Sequence, residues 1–539
     1  MKNTVSPQQM FAQVARPKIE RSTFDRSHGL KTTFDAGYVI PIFADEALPG
    51  DTMNVNTTVF ARFNTLIKPI MDNVYLDIHF WSVPIRLLWS NWKKMNGEQD
   101  NPADSTTFIM PVITSTAVTG YTEGSIYDYF GLPTKIAGYE HRADFLRAYN
   151  LIWNQNYRDE NLQNSVIVNT GNGPDATTDY VLLPRGKRKD YFTSALPWAQ
   201  KSSPVTVPLG TTAPVYGDGK AVGFTDGTNE AGTVSNSSAL PNYFLSAYGG
   251  NVGDATGATT VLAASKLVGV VESGDSGLIA DLSTASALTI NALRLAFQTQ
   301  ALYERDARGG TRYIELILAH FGIVSPDARQ QRPEYLGGFT SNINVSPIAQ
   351  NSVTATTPQA NLAAMGTVSN SQKGFIKSFT EHEIVLGFCS ARADLNYQQG
   401  LNRMWSRSTR FDFFWPDLAH LGEQTILNKE IYTQGTAGGA ADATAFGYQE
   451  RFAEYRYKPS QVTGRFRSNC TTPLDYWHLS QEFGSLPALN STFVVESPPI
   501  DRVVAVTTEP DFLADFWFQF THTRPIPTYS TPGSIMSFN

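Results

Sequence analysis

Charge is scarce in this sequence. Only 17% of its 539 residues are Asp, Glu, Lys or Arg, against roughly 25% in an average soluble domain. A surface short of charge is covered instead by Ser, Thr, Asn, Gln and Gly, which suits β-rich chains with long polar loops and surfaces later buried in contacts. The formal net charge is −7, so the molecule as a whole is no phosphate-neutralising glove, and any contact with nucleic acid is local. Two cysteines, Cys389 and Cys470, make no disulfide framework and read as free thiols in a reducing compartment. No apolar run of about 18 residues exists, so no membrane insertion is expected. The uncharged stretch 231–253 is long enough but is broken up by Ser, Asn and Gly. Met1–Glu20 has no apolar h-region, so no secretory signal is expected. A P-loop, a G-x-S-x-G elbow and an H-E-x-x-H pair are all missing, which removes the common phosphate, hydrolase and zinc-protease signatures.

What is present is ample core material, 41% hydrophobic and 12% aromatic. The first 31 residues hold six basic side chains (Lys2, Arg16, Lys18, Arg21, Arg26, Lys31) and two acidic ones, without hydrophobic period. Residues 1–35 therefore read as an arm, either a disordered terminus or one that runs beneath a shell. From Thr52 the pattern turns β, with Met53, Val55 and Val59 between polar neighbours. The clearest strand has Val74, Leu76, Ile78 and Phe80 on one face and Tyr75, Asp77, His79 and Trp81 on the other, ending at Pro84. His141–Tyr157 carries a helical period through Phe145, Tyr149, Ile152 and Trp153, with Arg142, Arg147 and Arg158 assigned to solvent. These segments make 36–200 a first β part with a helical insertion.

Residues 201–290 differ, with thirteen glycines, ten charged residues and no Arg, His or Trp. They read as a surface insertion with some order of its own; Tyr243, Phe244 and Tyr248 are its candidate contact residues. Two helices follow, marked by Ile290, Leu293, Phe297 and Ala301 and by Ile314, Ile317, Leu318 and Phe321, with Gly309-Gly310 between them. Tyr335–Gln372 has no charge over 38 positions and reads as irregular extended chain covered by a neighbour. Residues 291–374 are thus taken as a helical and extended insertion, and 375–539 as the second β part. There, Ile384, Leu386 and Phe388 alternate with Val385, Gly387 and Cys389, and Phe516, Phe518 and Phe520 with Trp517, Gln519 and Thr521. Strands split between the two ends of a chain belong to Greek-key architectures such as an eight-stranded antiparallel jelly roll, although other β-sandwiches fit equally.

Chemistry-bearing clusters are few. Glu381-His382-Glu383 sits at a strand start, where His382 points away from both carboxylates. His320, His420 and His478 lie in apolar or aromatic text and read as structural. No catalytic, cofactor-binding or metal-ligating residue is expected. The cluster Arg185, Lys187, Arg188 and Lys189 is either a solvated loop or a contact with phosphates or an acidic neighbour, and Tyr191, Phe192 and Trp198 follow it as candidate stacking partners. Two Arg–aromatic runs are more distinctive. The first places Arg403, Arg407 and Arg410 among Trp405, Phe411, Phe413, Phe414 and Trp415; the second holds Arg451, Tyr455 and Arg456. Arginine and aromatics dominate interface hot spots, so these runs are read as subunit contacts. A β-sandwich carbohydrate-binding protein or glycosidase is the alternative, and a single-stranded DNA-binding protein a third reading that the net charge disfavours.

Long strings then add a family. R-S-T-F-D-R-S-H-G-L-K-T-T-F-D-A-G-Y (21–38), G-K-R-K-D-Y-F-T-S-A-L-P-W (186–198), S-P-D-A-R-Q-Q-R-P-E-Y-L-G-G (325–338), Y-Q-Q-G-L-N-R-M-W-S-R (397–407) and F-G-Y-Q-E-R-F-A-E-Y-R-Y-K-P-S-Q (446–461) resemble the major capsid proteins of gokushoviruses, microvirus-type single-stranded DNA bacteriophages. The resemblance spans most of the chain outside 201–290. It implies a jelly-roll coat protein without enzymatic activity, forming a T=1 icosahedral shell around circular single-stranded DNA. It further implies that 201–290 is a threefold protrusion for host attachment. The implied partners are other copies of the chain (as pentamers and the full shell), the packaged DNA, small basic DNA-binding, pilot and scaffolding proteins of the same virus, and a host-surface receptor. The implied location is the virion, assembled in the bacterial cytoplasm.

Overall fold

The structure, a computed structural model, describes residues 20–206, 290–354 and 356–529 and, within 207–289, seven short strand segments. Two units result, one of residues 1–199 and 306–539 and the other of 200–305.

The larger unit is built on two antiparallel sheets. Its strands are β1 (Ser22–Asp25), β2 (His28–Phe34), β3 (Ile40–Ala47), β4 (Thr52–Phe63), β5 (Val74–Pro84), β6 (Glu334–Asn342), β7 (Asn344–Ala349), β8 (Leu362–Ser378), β9 (Glu383–Ala393) and β10 (Phe512–Arg524). In the first sheet β10 lies between β4 and an edge formed by β1 and β2, which pair with consecutive stretches of β10; β8 and β7 continue on the other side of β4. The second sheet runs β6, β5, β9, β3. Period-two patterning drives both. Along β10, Phe512, Ala514, Phe516, Phe518 and Phe520 are buried while Leu513, Trp517, Gln519 and Thr521 are exposed, as a strand with one face on a core requires. The inner faces meet in one apolar cluster. There the Phe43 ring packs edge-on against Phe518 at 5.3 Å and Phe520 at 5.6 Å, a geometry aromatic pairs favour.

The second sheet is covered on its other face as well. Helix α1 (Asp144–Asn156) lays Leu146, Tyr149, Ile152 and Trp153 among Trp81, Val83, Ile384, Leu386 and Phe388. Every residue of β9 except Arg392 is therefore buried. A Cβ at Gly387 would lie 2.8 Å from both Phe43 and Phe80, so only glycine fits the closest approach in this layer.

Four expectations are corrected here. Residues 22–34 of the supposed arm are sheet strands, whose alternation is weak because β10 contributes most of the buried aromatic row; residues 1–19 lie outside the described residues. Much of the charge-free stretch from Tyr335 to Gln372 is regular sheet rather than irregular chain, 335–342 in β6, 344–349 in β7 and 362–372 in β8, so those parts of 291–374 are no insertion. Pro347 is tolerated there because β7 is an edge strand. Arg147 does not face solvent. It is fully buried, with Nε and Nη2 donating to the two Asp175 oxygens at 2.7 and 2.6 Å. Residue 141, placed in the helix by its period, belongs to a short strand, Glu140–Arg142, paired with Val112–Thr114.

Helices α2 (Ile290–Gly309) and α3 (Tyr313–Phe321) occur where their periods place them. Gly310, at φ +102°, makes the turn between them. In the smaller unit Val222–Thr225 pairs with Glu230–Val234 and Gly269–Val270, Val215–Gly217 with Leu278–Ala280, and Val252–Gly253 with Thr259–Thr260, all antiparallel. Among the described residues no helix is long and apolar enough to cross a membrane, and no group of three or more His, Cys, Asp or Glu is placed to hold a metal ion.

One buried acid gives a pH prediction. Glu496 is buried; its Oε1 accepts from the Ala393 N–H at 3.3 Å, and its Oε2 has no hydrogen-bond partner. Burial pushes its carboxyl from 4.5 up to about 7. Between those values the folded chain holds a proton the unfolded chain has lost, so stability falls as pH rises from about 4.5 through 7. Glu496→Gln keeps the acceptor without the charge. It is expected to raise the urea midpoint at pH 8 and change it little at pH 5. An equal shift at both pH values would count against the argument.

Candidate functional site

Between β9 and β10 the chain makes few long strands. It is organised around a third apolar cluster of Tyr191, Phe192, Ala195, Ile426, Ile431, Phe446, Ala453, Phe493 and Val494. A short antiparallel pair, Glu423–Leu427 with Ala445–Glu450, stiffens this region. The first Arg–aromatic run folds as three single turns, Arg403–Ser406, Arg410–Asp412 and Pro416–Leu418. Each has a local cause. Asn402 caps the first by accepting from the Met404 N–H at 3.0 Å. Asp412 closes the second by accepting from the Thr409 and Ser408 N–H groups, which hold its carboxylate down at about 2. Pro416 starts the third.

Beneath these turns lies an ionic base. Arg403 Nη1 donates to Glu430 Oε1 at 2.9 Å and to the Thr425 carbonyl at 2.6 Å. Arg407 Nη2 donates to Glu454 Oε1 at 3.2 Å, and Gln424 Nε2 to Glu454 Oε2 at 2.6 Å. Tyr191 Oη donates to Glu430 Oε2 at 3.0 Å. Burial raises the Glu430 carboxyl, opposed chiefly by the Arg403 charge. Buried carboxylates with several charge-assisted partners fix the geometry of everything attached to them.

Above the base, arginines lie over aromatic rings. The Arg407 guanidinium lies over Tyr455 at 4.1 Å and near Phe413 at 5.8 Å; Arg410 covers Trp415 at 4.5 Å; Arg451 lies over Phe452 at 4.7 Å and donates to the Phe411 carbonyl at 3.0 Å. Phe452 adopts φ +63°, a conformation bulky side chains rarely accept, and its ring meets Phe414 edge-on at 5.3 Å. Trp405 is 72% exposed and Phe411 65%, and Phe413, Phe414, Trp415 and Tyr455 are exposed too. Contiguous exposed apolar patches are uncommon on monomeric soluble proteins.

Residues 12–534 match the family model described as capsid protein (F protein). This chain belongs to the capsid F protein family. It is 48% identical to capsid protein VP1 of Bdellovibrio phage phiMH2K, over 98% of each chain. It is 45% identical to capsid protein VP1 of Chlamydia phage 1, over 97% of each. For capsid protein VP1 of Spiroplasma virus 4 the identity is 34%, over 96% of this chain and 95% of the relative. The resemblance to gokushovirus coat proteins is thereby borne out. A capsid F protein has a structural role, assembles with copies of itself and resides in the virion.

In this capsid chain the Arg185–Lys189 cluster is not one exposed patch. Arg185 lies against the Tyr157 ring at 4.6 Å and 3.9 Å from Asp77, and its side chain is largely buried. Lys187 is buried, donates to Gln481 Oε1 at 2.8 Å, and is pushed down by burial to about 8. A solvated loop does not describe these two. Arg188 stacks on Tyr75 at 3.8 Å, while Lys189 is exposed and pairs with Asp159. Tyr191 and Phe192, taken as possible stacking partners, are core residues. Of the two Arg–aromatic runs, the structure brings Arg407, Arg410, Arg451 and Tyr455 onto one ring-bearing surface, with Arg403 beneath it and Trp405 on the turn between Arg403 and Arg407. Arg456 pairs with Glu450 at its margin. Tyr243, Phe244 and Tyr248 lie outside the described residues. Glu430, Gln424 and Tyr191 were missed in this role, since nothing in their own text marks Glu430 as the partner of Arg403, Gln424 as a donor to Glu454, or Tyr191 as a donor to Glu430, 27 to 239 residues away.

Proposed function

We propose that this capsid protein is the major coat subunit of a T=1 shell enclosing circular single-stranded DNA, and that the exposed aromatic surface over Arg403 and Arg407 is a contact between subunits. The observation that carries the contact is the conjunction of bare Trp405 and Phe411 with a buried ionic base holding the surface in place. The architecture is proposed to be an eight-stranded jelly roll. Supporting it is the interleaved order β2, β10, β4, β8 within a six-stranded sheet that β1 and β7 extend, and β3, β9, β5, β6 in a four-stranded one, both built from non-consecutive parts of the chain. Assembly in the bacterial cytoplasm, a protrusion built by 201–290 for host attachment, and partnership with small basic DNA-binding, pilot and scaffolding proteins complete the reading. The test is expression of the full chain followed by light scattering and electron microscopy. Uniform shells or pentamers are expected; a stable monomer that binds or cleaves a glycan would overturn the reading.

A further inference from the structure

The outer face of the first sheet holds a second aromatic feature, independent of the Arg–aromatic surface. Trp517 on β10 and Phe60 on β4 both point away from the core, with exposures of 52% and 48%. The strand register sets Trp517 opposite Thr58 and Phe60 opposite Asp515, so the two rings are diagonal neighbours on adjacent strands. Neither ring stacks on another ring among the described residues. On the other side of β10, Trp517 faces Gly29, and Lys31 faces Asp515 at 3.4 Å. A Cβ at position 29 would lie 3.4 Å from the Trp517 ring, so the ring runs alongside the glycine and a larger residue there would crowd it. Gly29, Lys31, Thr58, Phe60, Asp515 and Trp517 together line an open hollow of about 630 Å³.

We propose that this hollow is a stacking site for the bases of single-stranded nucleic acid. The proposal rests on the reading of the chain as a shell around single-stranded DNA. A flat heterocycle can stack on an exposed ring, and stacking accepts any base because every base has a π face. The surroundings favour nucleic acid over an apolar protein segment. They are hydroxyls and amides, with Thr58 and Ser371 joined at 2.8 Å and Asn56 and Gln519 alongside. Arg62 and Lys373 stand on the same face without a carboxylate partner among the described residues, and offer positive charge to a backbone. A chain of net charge −7 gains little from phosphate neutralisation as a whole. Stacking supplies attraction that does not depend on its overall charge.

The test measures binding of a labelled 12-nucleotide oligothymidine to the full chain by fluorescence anisotropy. Trp517→Ala is expected to weaken binding about tenfold or more, with Trp517→Phe restoring most of it. An abasic strand of equal length should bind the unaltered chain about as weakly as the oligothymidine binds Trp517→Ala. Between 50 and 200 mM salt the affinity of the unaltered chain should fall by less than the ~10³-fold seen when six or more phosphates are neutralised. Equal binding by Trp517→Ala, by the abasic strand or by duplex DNA overturns the proposal. Should Trp517→Ala not fold, Gly29→Leu fills the hollow from the neighbouring strand while both rings remain, and it is read by the same criterion. Shell formation is scored separately by light scattering. If the unaltered chain forms no shells, the coat reading fails while the binding result stands. If Trp517→Ala abolishes shells but not binding, the face is a contact with a second copy and the proposal falls.

Discussion

Replacing Trp405 and Phe411 together by alanine is expected to leave the subunit folded and stop it assembling. Both side chains are largely in water in the free subunit, so their loss removes little of the energy that holds it together. In a subunit contact the balance reverses. A buried aromatic anchor contributes about 2–4 kcal/mol on truncation, a factor of roughly 30 to 1,000 in the affinity of each contact, and a closed shell repeats that loss at every subunit. Light scattering should therefore show free subunits or small oligomers where the unaltered chain gives shells, with an unchanged urea midpoint. Glu454→Gln should do the opposite. It takes the carboxylate from beneath Arg403 and Arg407 and so lowers the stability of the free subunit before it affects assembly. If the double alanine variant forms shells in normal yield, the surface is not the contact proposed.

The largest loss of stability is expected at Arg147. Its guanidinium and the Asp175 carboxylate are both fully buried, and the pair is satisfied on every side. Arg147 Nη1 donates to the Leu88 and Gly171 carbonyls at 3.0 Å, and Asp175 also accepts from Asn169 at 2.7 Å and Tyr180 at 2.6 Å. Removing one partner strands a buried charge, a cost of about 3–5 kcal/mol. Arg147→Ala should lower urea stability by that amount. Arg147→Lys should recover only part of it, because an ammonium cannot replace a two-pronged fork. A loss under ~1 kcal/mol for the alanine variant would mean that Asp175 finds another partner or takes up a proton.

Arg147 also shows where a sequence stops being informative. Helical spacing correctly marks Tyr149, Ile152 and Trp153 as the packed side of α1, yet the arginine beside them is assigned to solvent by its type alone. Its partner lies 28 residues on in a loop without period. Strands with one wet face were legible, as the Phe516–Phe520 alternation shows. Strand β2 was not, because its buried row sits mostly on the strand it pairs with. Residues 335–372 misled for a related reason: absence of charge reads as loop text, but Pro347 is accommodated at a sheet edge and the uncharged residues are shared between two sheets. At the candidate site the rings and arginines were legible as runs. The carboxylates beneath them, Glu430 and Glu454, became meaningful only once the chain had folded back on itself. Trp517 was visible in the alternation as an outward residue, but its pairing with Phe60 depends on register.

The position of β10 has a consequence for timing. This strand, made of residues 512–524, lies between β4 and the β1–β2 edge, so neither of those early segments has its central neighbour until residues 512–524 have been made. At synthesis rates of ~5–20 residues per second, the roughly 450 residues from β4 to β10 take on the order of 20–90 s to make. For that interval β4 presents an open hydrogen-bonding edge and an uncovered apolar row, a state prone to pairing with the wrong chain. Once β10 is made, it fills the position between β4 and the β1–β2 edge and the open row is paired.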